Sequence, residues 1–328
     1  MDTRRWGQVG LATLVSIAVA APAAPAFADP APSTITANGP GSVARNGSVT
    51  LTGTFTGGVG LQLHVSKHDL AGNHALPDVT TLGAGVFTVM DIATVGGTNT
   101  YTISFDGDAN FAATSTTATV TVSRAATALS LSTNAANYKY GATATITAKL
   151  GKTHDSRRVC LYATPADASR TLIRCVTANS SGVATATWRM TRRTSFRAVF
   201  AGDQWYAPAG VSRTATAGVR LEEVMAYYYK TSHGYKVFRS KVDPLFGARV
   251  TPDKTGGCLT FTLQRYRNGK WRTAGTLTCA RVQDESVAAA WIRGTHPVGS
   301  KWRTRAKFAG DSLNTSTTGP WLKYRYTR

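Results

Sequence analysis

His64, His68 and Asp69, with His74 a few residues on, are the side chains best suited to hold a metal ion. Imidazole and carboxylate are the right donors for zinc. In an extended strand His64 and His68 share a face, but four residues put them roughly 13 Å apart, too far for one ion. The expectation is exposed edge or loop histidines and no metal site. Asp106-Gly107-Asp108 has the composition of a calcium turn. Two related stretches of the chain carry Ala at the first Asp position, so a turn-stabilising role for Asp108, Asp203 and Asp311 explains all three.

Bond-making chemistry finds little else to use. There is no Gly-x-Ser-x-Gly elbow, no His-Glu-x-x-His helix and no phosphate-cradling Gly loop followed by Lys-Ser/Thr. A glycosidase needs two positioned carboxylates. Only Glu222, Glu223 and Glu285 are glutamates, and no acidic pair stands out. The sequence therefore predicts a non-catalytic protein without a cofactor.

Four cysteines remain, Cys160, Cys175, Cys258 and Cys279. Without a Cys-x-x-Cys pair, zinc is the weaker reading, and two disulfides in an exported chain the stronger. Three pairings are formally open. Asn268-Gly269 between Tyr266-Arg267 and Lys270-Trp271 signals a two-residue hairpin. Continuing its register outward brings Cys258 opposite Cys279 in a closely spaced pair. The local pairing follows, with Cys160 to Cys175 as its counterpart. One conflict stands in that hairpin. Leu277 would share a face with Thr260 and Thr262, and a bulge at Gly275 would repair the pattern and shift the pairing.

The elements that carry these residues come in copies. Tyr101-Thr-Ile-Ser-Phe105-Asp-Gly-Asp108 recurs as Phe196-Arg-Ala-Val-Phe200-Ala-Gly-Asp203 and as Thr304-Arg-Ala-Lys-Phe308-Ala-Gly-Asp311. Each copy alternates apolar and polar residues at the period of a half-buried strand. A Gly-Asp turn and a Thr/Ser-rich partner strand follow at Thr114 to Val122, Val211 to Ala217 and Asn314 to Thr318. Upstream lie Gly85-Val-Phe-Thr-Val89, Gly182-Val-Ala-Thr-Ala-Thr-Trp188 and Ser286-Val-Ala-Ala-Ala-Trp291. Forty-nine Thr in 328 residues favour strand over helix. The fold class expected is all-β, three tandem antiparallel β-sandwiches spanning 29–123, 124–218 and 219–328. Alternation assigns Trp188, Trp291 and Trp302 to the cores, makes Tyr266 and Trp271 a cross-strand pair, and leaves Trp321 and Tyr227 to Tyr229 unassigned.

The Gly-x-Ala-x-Trp strand, the aromatic-x-Ala-x-Phe strand and Gly-Asp-x-x-Tyr/Phe together resemble the bacterial Ig-like repeats of exported and cell-surface proteins. Phe200-Ala-Gly-Asp-Gln-Trp-Tyr206 carries the resemblance best, with Phe105-Asp-Gly-Asp-Ala-Asn-Phe111 close behind. In the third copy the aromatic position reads Leu313. The resemblance implies spacers, stalks or adhesive units and supplies no catalytic residue.

Residues 1–28 read as a signal peptide. Arg4 and Arg5 precede an apolar stretch from Val9 to Ala21, and Ala26-Phe27-Ala28 fits a small-x-small cleavage site. No later run suits a membrane span. The expectation is a secreted, extracellular protein, free or associated with the cell wall. Its charge is lopsided, with Lys and Arg exceeding Asp and Glu by 20. By segment the balance is −3 over 30–123 (2 basic, 5 acidic), +10 over 124–218 (13, 3) and +13 over 219–328 (20, 7). Such a field attracts polyanions. The candidate binding residues are Arg192, Arg193, Arg197, Arg265, Arg267, Arg303 and Arg305. Their expected partner is an anionic cell-wall polymer or acidic glycan, with a specific nucleic acid disfavoured. The alternative is a glycan- or protein-recognition module using exposed aromatics of residues 219–328.

Overall fold

The computed structural model describes residues 29–151 and 157–328. The signal-peptide reading of residues 1–28 lies outside them. The chain is built from strands, with only two short 3-10 turns, at Gly83–Gly85 and Asp284–Ser286, among the described residues. Strands Ile35–Asn38, Ser48–Phe55 and Val86–Ile92 form one three-stranded sheet. Facing it is a five-stranded sheet ordered Ser42–Val43, Thr114–Val122, Gly97–Phe105, Gln62–Asp69, Gly72–Thr80. Residues 130–217 repeat the arrangement strand for strand. Residues 220–327 keep the three-stranded sheet and enlarge its partner to seven. In the first two sheet pairs the short edge strand is parallel to its neighbour, as in Ser42 with Thr121 and Asn137 with Thr216. In the third the parallel strand is Tyr235–Arg239, Lys236 with Tyr324, and Lys230–Ser232 adds an antiparallel edge outside it.

Alternation explains the pairing of sheets. Ser48–Phe55 and Gln62–Asp69 each bury every second residue. Three buried clusters result, one per sheet pair, centred on Phe87 and Tyr101, on Phe196 and Ile146, and on Phe246 and Tyr324. They share no residue. Before the Val86–Ile92, Val183–Arg189 and Val287–Trp291 strands the chain turns through a left-handed residue, Gly85, Gly182 and Ser286 respectively. Glycine takes that conformation without strain. Ser286 compensates by accepting the Lys254 N–H on its hydroxyl at 2.9 Å.

The Gly-Asp turns behave as the sequence suggests. Asp108 Oδ1 accepts the N–H groups of Asn110 and Phe111, Asp203 those of Trp205 and Tyr206, and Asp311 those of Leu313 and Asn314. This fixes the third copy's aromatic position as Asn314, one residue beyond Leu313. The segment entering each sheet pair then docks on the turn, through bridges Ala31 to Phe111, Ala125 to Tyr206 and Gly218 to Thr315. Asn314, 2% exposed, donates its amide to the carbonyls of Thr191, Ala217 and Gly218. An aromatic ring there could not make those bonds.

Both local disulfides are present, Cys160–Cys175 and Cys258–Cys279, with Cα separations of 3.9 and 4.8 Å. Cys160 sits directly opposite Cys175. Cys258 faces Arg281, because the hairpin register slips twice, once between Leu263 and Gln264 and again between Leu259 and Phe261. The first slip leaves Ala274 unpaired beside Gly275. It turns Leu277 to the register of Phe261, which is the repair the hydrophobic pattern demanded.

The partner strand expected over Asn314 to Thr318 shrinks to Thr317–Thr318. Gly319-Pro320 interrupts it, and Leu322–Thr327 resumes pairing with Lys301–Phe308. In the gap the carboxylate of Glu223 accepts the Ala306 N–H at 2.6 Å.

A basic outer face as candidate functional site

In the strand Lys301–Phe308, Thr304, Ala306 and Phe308 are buried, so Lys301, Arg303, Arg305 and Lys307 face outward at every second position. They recur about every 6–7 Å along the strand. On the adjacent strand Leu322–Thr327, Tyr324 and Tyr326 are buried and Lys323 and Arg325 share the outer face. The register places Arg303 directly opposite Lys323 and Lys301 directly opposite Arg325. Like charges in that relation destabilise a sheet. Among the described residues none of these six cations has an ion pair.

Aromatic rings hold the guanidinium groups in place. Arg303 Cζ lies 4.6 Å from the Trp271 ring centroid and 4.2 Å from that of Trp321, and its Nε donates to Gln264 Oε1 at 2.8 Å. Arg305 lies over the same Trp321 ring at 4.2 Å. Tyr266 and Trp271 form the expected cross-strand pair, centroids 5.2 Å apart. Burial, and then the neighbouring Arg305, pull Arg303 below its ordinary value, yet a guanidinium stays charged at any physiological pH. Stacking of this kind preorganises donors while leaving N–H groups free for an oxyanion.

Of the seven arginines singled out from sequence, this face contains Arg303 and Arg305. Arg265 has the opposite facing and lies over Trp302 at 5.1 Å. Arg267 stands opposite Lys270 on that other side, beside the hairpin turn. Arg192 is ion-paired to Asp167, and the backbone N–H of Arg193 bonds Leu313 at the junction with the third sheet pair. Arg197 is exposed on the middle sheet pair, opposite Ser212. Lys301, Lys307, Lys323 and Arg325 complete the basic face and were missed. The signal for the last two is the Lys-Tyr-Arg-Tyr alternation at 323–326, which the misplaced final strand concealed.

Trp188 and Trp302 pack against the cores as expected. Trp291 does not. It is 46% exposed and stacks on Tyr227 at 5.2 Å, on the outer side of the other sheet. An opening of about 410 Å³ lined by Phe246, Leu263, Leu277 and Trp291 lies beside it. The histidines disperse: His64 contacts Asp78, His68 contacts Asn73 and His74 contacts Asp69. No cluster that could hold a metal occurs among the described residues. A cleft of about 740 Å³ between Tyr138 to Tyr140 and Thr315 to Pro320 is lined without a carboxylate, imidazole or thiol.

No protein family and no curated protein matches the sequence. Among solved structures, a Salmonella alpha-2-macroglobulin variant matches at 11% identity and a TM-score of 0.25, over 88% of this chain and 23% of that one. The chain thus spans less than a quarter of that protein.

Proposed function

We propose that the chain is an exported, non-catalytic protein of three Ig-like β-sandwich units whose third unit binds an extended polyanion, an anionic wall polymer or acidic glycan, on the face carried by Lys301–Phe308 and Leu322–Thr327. The observation that carries this reading is the succession of directly opposed like charges, Arg303 with Lys323 and Lys301 with Arg325. The fold gains nothing from such pairs; a polymer bearing a negative charge every 6–7 Å relieves them. Two disulfides suit an oxidising compartment. No helix of the described residues is long and apolar enough to cross a membrane.

The test is retention of the exported chain on immobilised polyphosphate and heparin. Arg303→Ala with Arg305→Ala should abolish retention at physiological salt, while Arg192→Ala, whose partner is Asp167, should leave it unchanged. Equal retention of both variants would refute the assignment. A second reading, recognition of an apolar or glycan surface, is favoured by the exposed Tyr227–Trp291 stack. Trp321 no longer suits that role, since Arg303 and Arg305 already lie over its ring. That reading predicts binding that survives high salt and is lost on Trp291→Ala.

A further inference from the structure

The first sheet pair contains a buried lysine that its architecture does not require. Because Ser66 and His68 face outward, Lys67 and Asp69 continue the inward series begun by Leu63 and Val65. Lys67 is 7% exposed and Asp69 5%. Lys67 Nζ lies 2.9 Å from Asp91 Oδ2 and 3.7 Å from Asp69 Oδ2. Asp91 belongs to Val86–Ile92 in the facing sheet, so the contact crosses the sandwich. The Tyr101 hydroxyl donates to the same Asp91 Oδ2 at 2.8 Å. Asp69 Oδ1 accepts the Ala71 N–H and contacts His74 Nε2 at 3.2 Å. Its buried Oδ2 has no hydrogen bond and faces the amine.

A buried ion pair at best breaks even against apolar side chains of similar volume. The molecule itself supplies that comparison. Lys67 is paired with Tyr101, four residues before Phe105. At the same register positions the second sheet pair sets Ala163 opposite Phe196, and the third sets Leu263 opposite Thr304. Neither needs an ion there. Those two sheet pairs each carry a disulfide, whereas residues 29–123 contain no cysteine.

We propose that Lys67 and Asp91 condense to an intramolecular amide that ties the two sheets of the first sheet pair together, with Asp69 as proton relay. Asp69 Oδ2 takes a proton from Nζ. The freed nitrogen lone pair attacks Cγ of Asp91 and the N–C bond forms. Negative charge gathering on Asp91 Oδ2 is met by the Tyr101 O–H, an oxyanion-stabilising donor already in place. Asp69 passes its proton to the other carboxyl oxygen, which departs with a second nitrogen proton as water when the C–O bond breaks. Ammonium plus carboxylate gives amide plus water, so no oxidant, reductant or activating group is consumed. Fixed proximity in a dry site supplies the driving geometry, worth effective molarities on the order of 10⁵ M or more. In the product the amide N–H has Asp69 Oδ2 as its acceptor, the carbonyl keeps the Tyr101 bond, and two buried charges are gone.

Peptide mapping of the full exported chain after reduction decides the matter. Trypsin divides the unlinked chain into peptides 46–67 and 68–124. The expected result is instead one peptide, 46–124, uncleaved after Lys67 and lighter than its own sequence mass by one water, about 18 Da. Asp69→Asn should yield the two peptides separately at full mass. Separate, full-mass peptides from the folded wild-type chain would overturn the proposal, and this result does not depend on any variant folding. An Asp69→Asn chain linked as completely as wild type would overturn the relay role of Asp69.

Discussion

Removing Lys323 should make the protein more stable and a poorer binder at once. Lys323 stands directly opposite Arg303, whose guanidinium is pinned by Trp271, Trp321 and Gln264 and cannot swing away. Two unit charges about 7 Å apart at a solvated surface repel by roughly 0.5–1 kcal/mol. A Debye length of about 8 Å at 0.15 M leaves less than half of that. Lys323→Gln should therefore raise the unfolding free energy by about 0.5–1 kcal/mol at 10 mM salt and by only about 0.1–0.2 kcal/mol at 0.5 M. Denaturant titration followed by tryptophan fluorescence reports it, since Trp271, Trp291, Trp302 and Trp321 all lie in the third segment. Adding polyphosphate should stabilise wild type more than the variant, because a ligand stabilises in proportion to its affinity for the folded chain. A variant less stable than wild type at low salt, or a difference indifferent to salt, would refute the reasoning.

Other sites give separate tests. Burial lifts the Glu223 carboxyl from 4.5 to about 7, against the Ala306 N–H and Arg305, which pull it down. A carboxyl raised in the folded state contributes stability that is complete below 4.5 and lost as pH climbs through 7. Glu223→Gln should flatten the stability profile across that window and gain on the order of 1–2 kcal/mol above it, solvent screening of the part-exposed group included; a retained slope contradicts this. The disulfides close spans of 15 and 21 residues. Reduction should cost the second and third segments about 3 kcal/mol each and the first nothing, measured by equilibrium unfolding with and without reductant. Asn314→Ala should cost about 1–3 kcal/mol by stranding the carbonyls of Thr191, Ala217 and Gly218. Faster amide exchange at Arg193, which bonds Leu313, is the accompanying readout.

Much of the strand content and its repetition was legible because alternation is a local property. Thr304, Ala306 and Phe308 announce a buried face without reference to any other strand. The Asp turns were legible for the same reason, each closing on its own next three residues. What stayed hidden depends on partners distant in the chain. Arg265 alternates in phase with the inward Leu259, Phe261 and Leu263; its charge suggested an outward position, but it lies half-buried over Trp302 on the inward side. Trp291 ends a strand whose inward positions are Ala288 and Ala290, and the ring falls outside. Asn314 departs from the repeat motif because its amide serves a neighbouring sheet pair, a demand no local pattern records. Lys67 was readable in part: once His64 and His68 share an outer face, the lysine between them must point in. Its partner Asp91 comes from the opposite sheet, and only the packed sandwich brings the two together.

The central claim is that paired rows of cations on Lys301–Phe308 and Leu322–Thr327 grip an extended polyanion. The most direct measurement is the affinity of the full chain for polyphosphate as a function of salt. With Lys301, Arg303, Arg305, Lys307, Lys323 and Arg325 each meeting one charge, the slope of log K against log salt should be about −4 to −5. It should fall to about −3 when Arg303 and Arg305 are both replaced by Gln. A slope near zero, or one unchanged by that double substitution, would contradict the account.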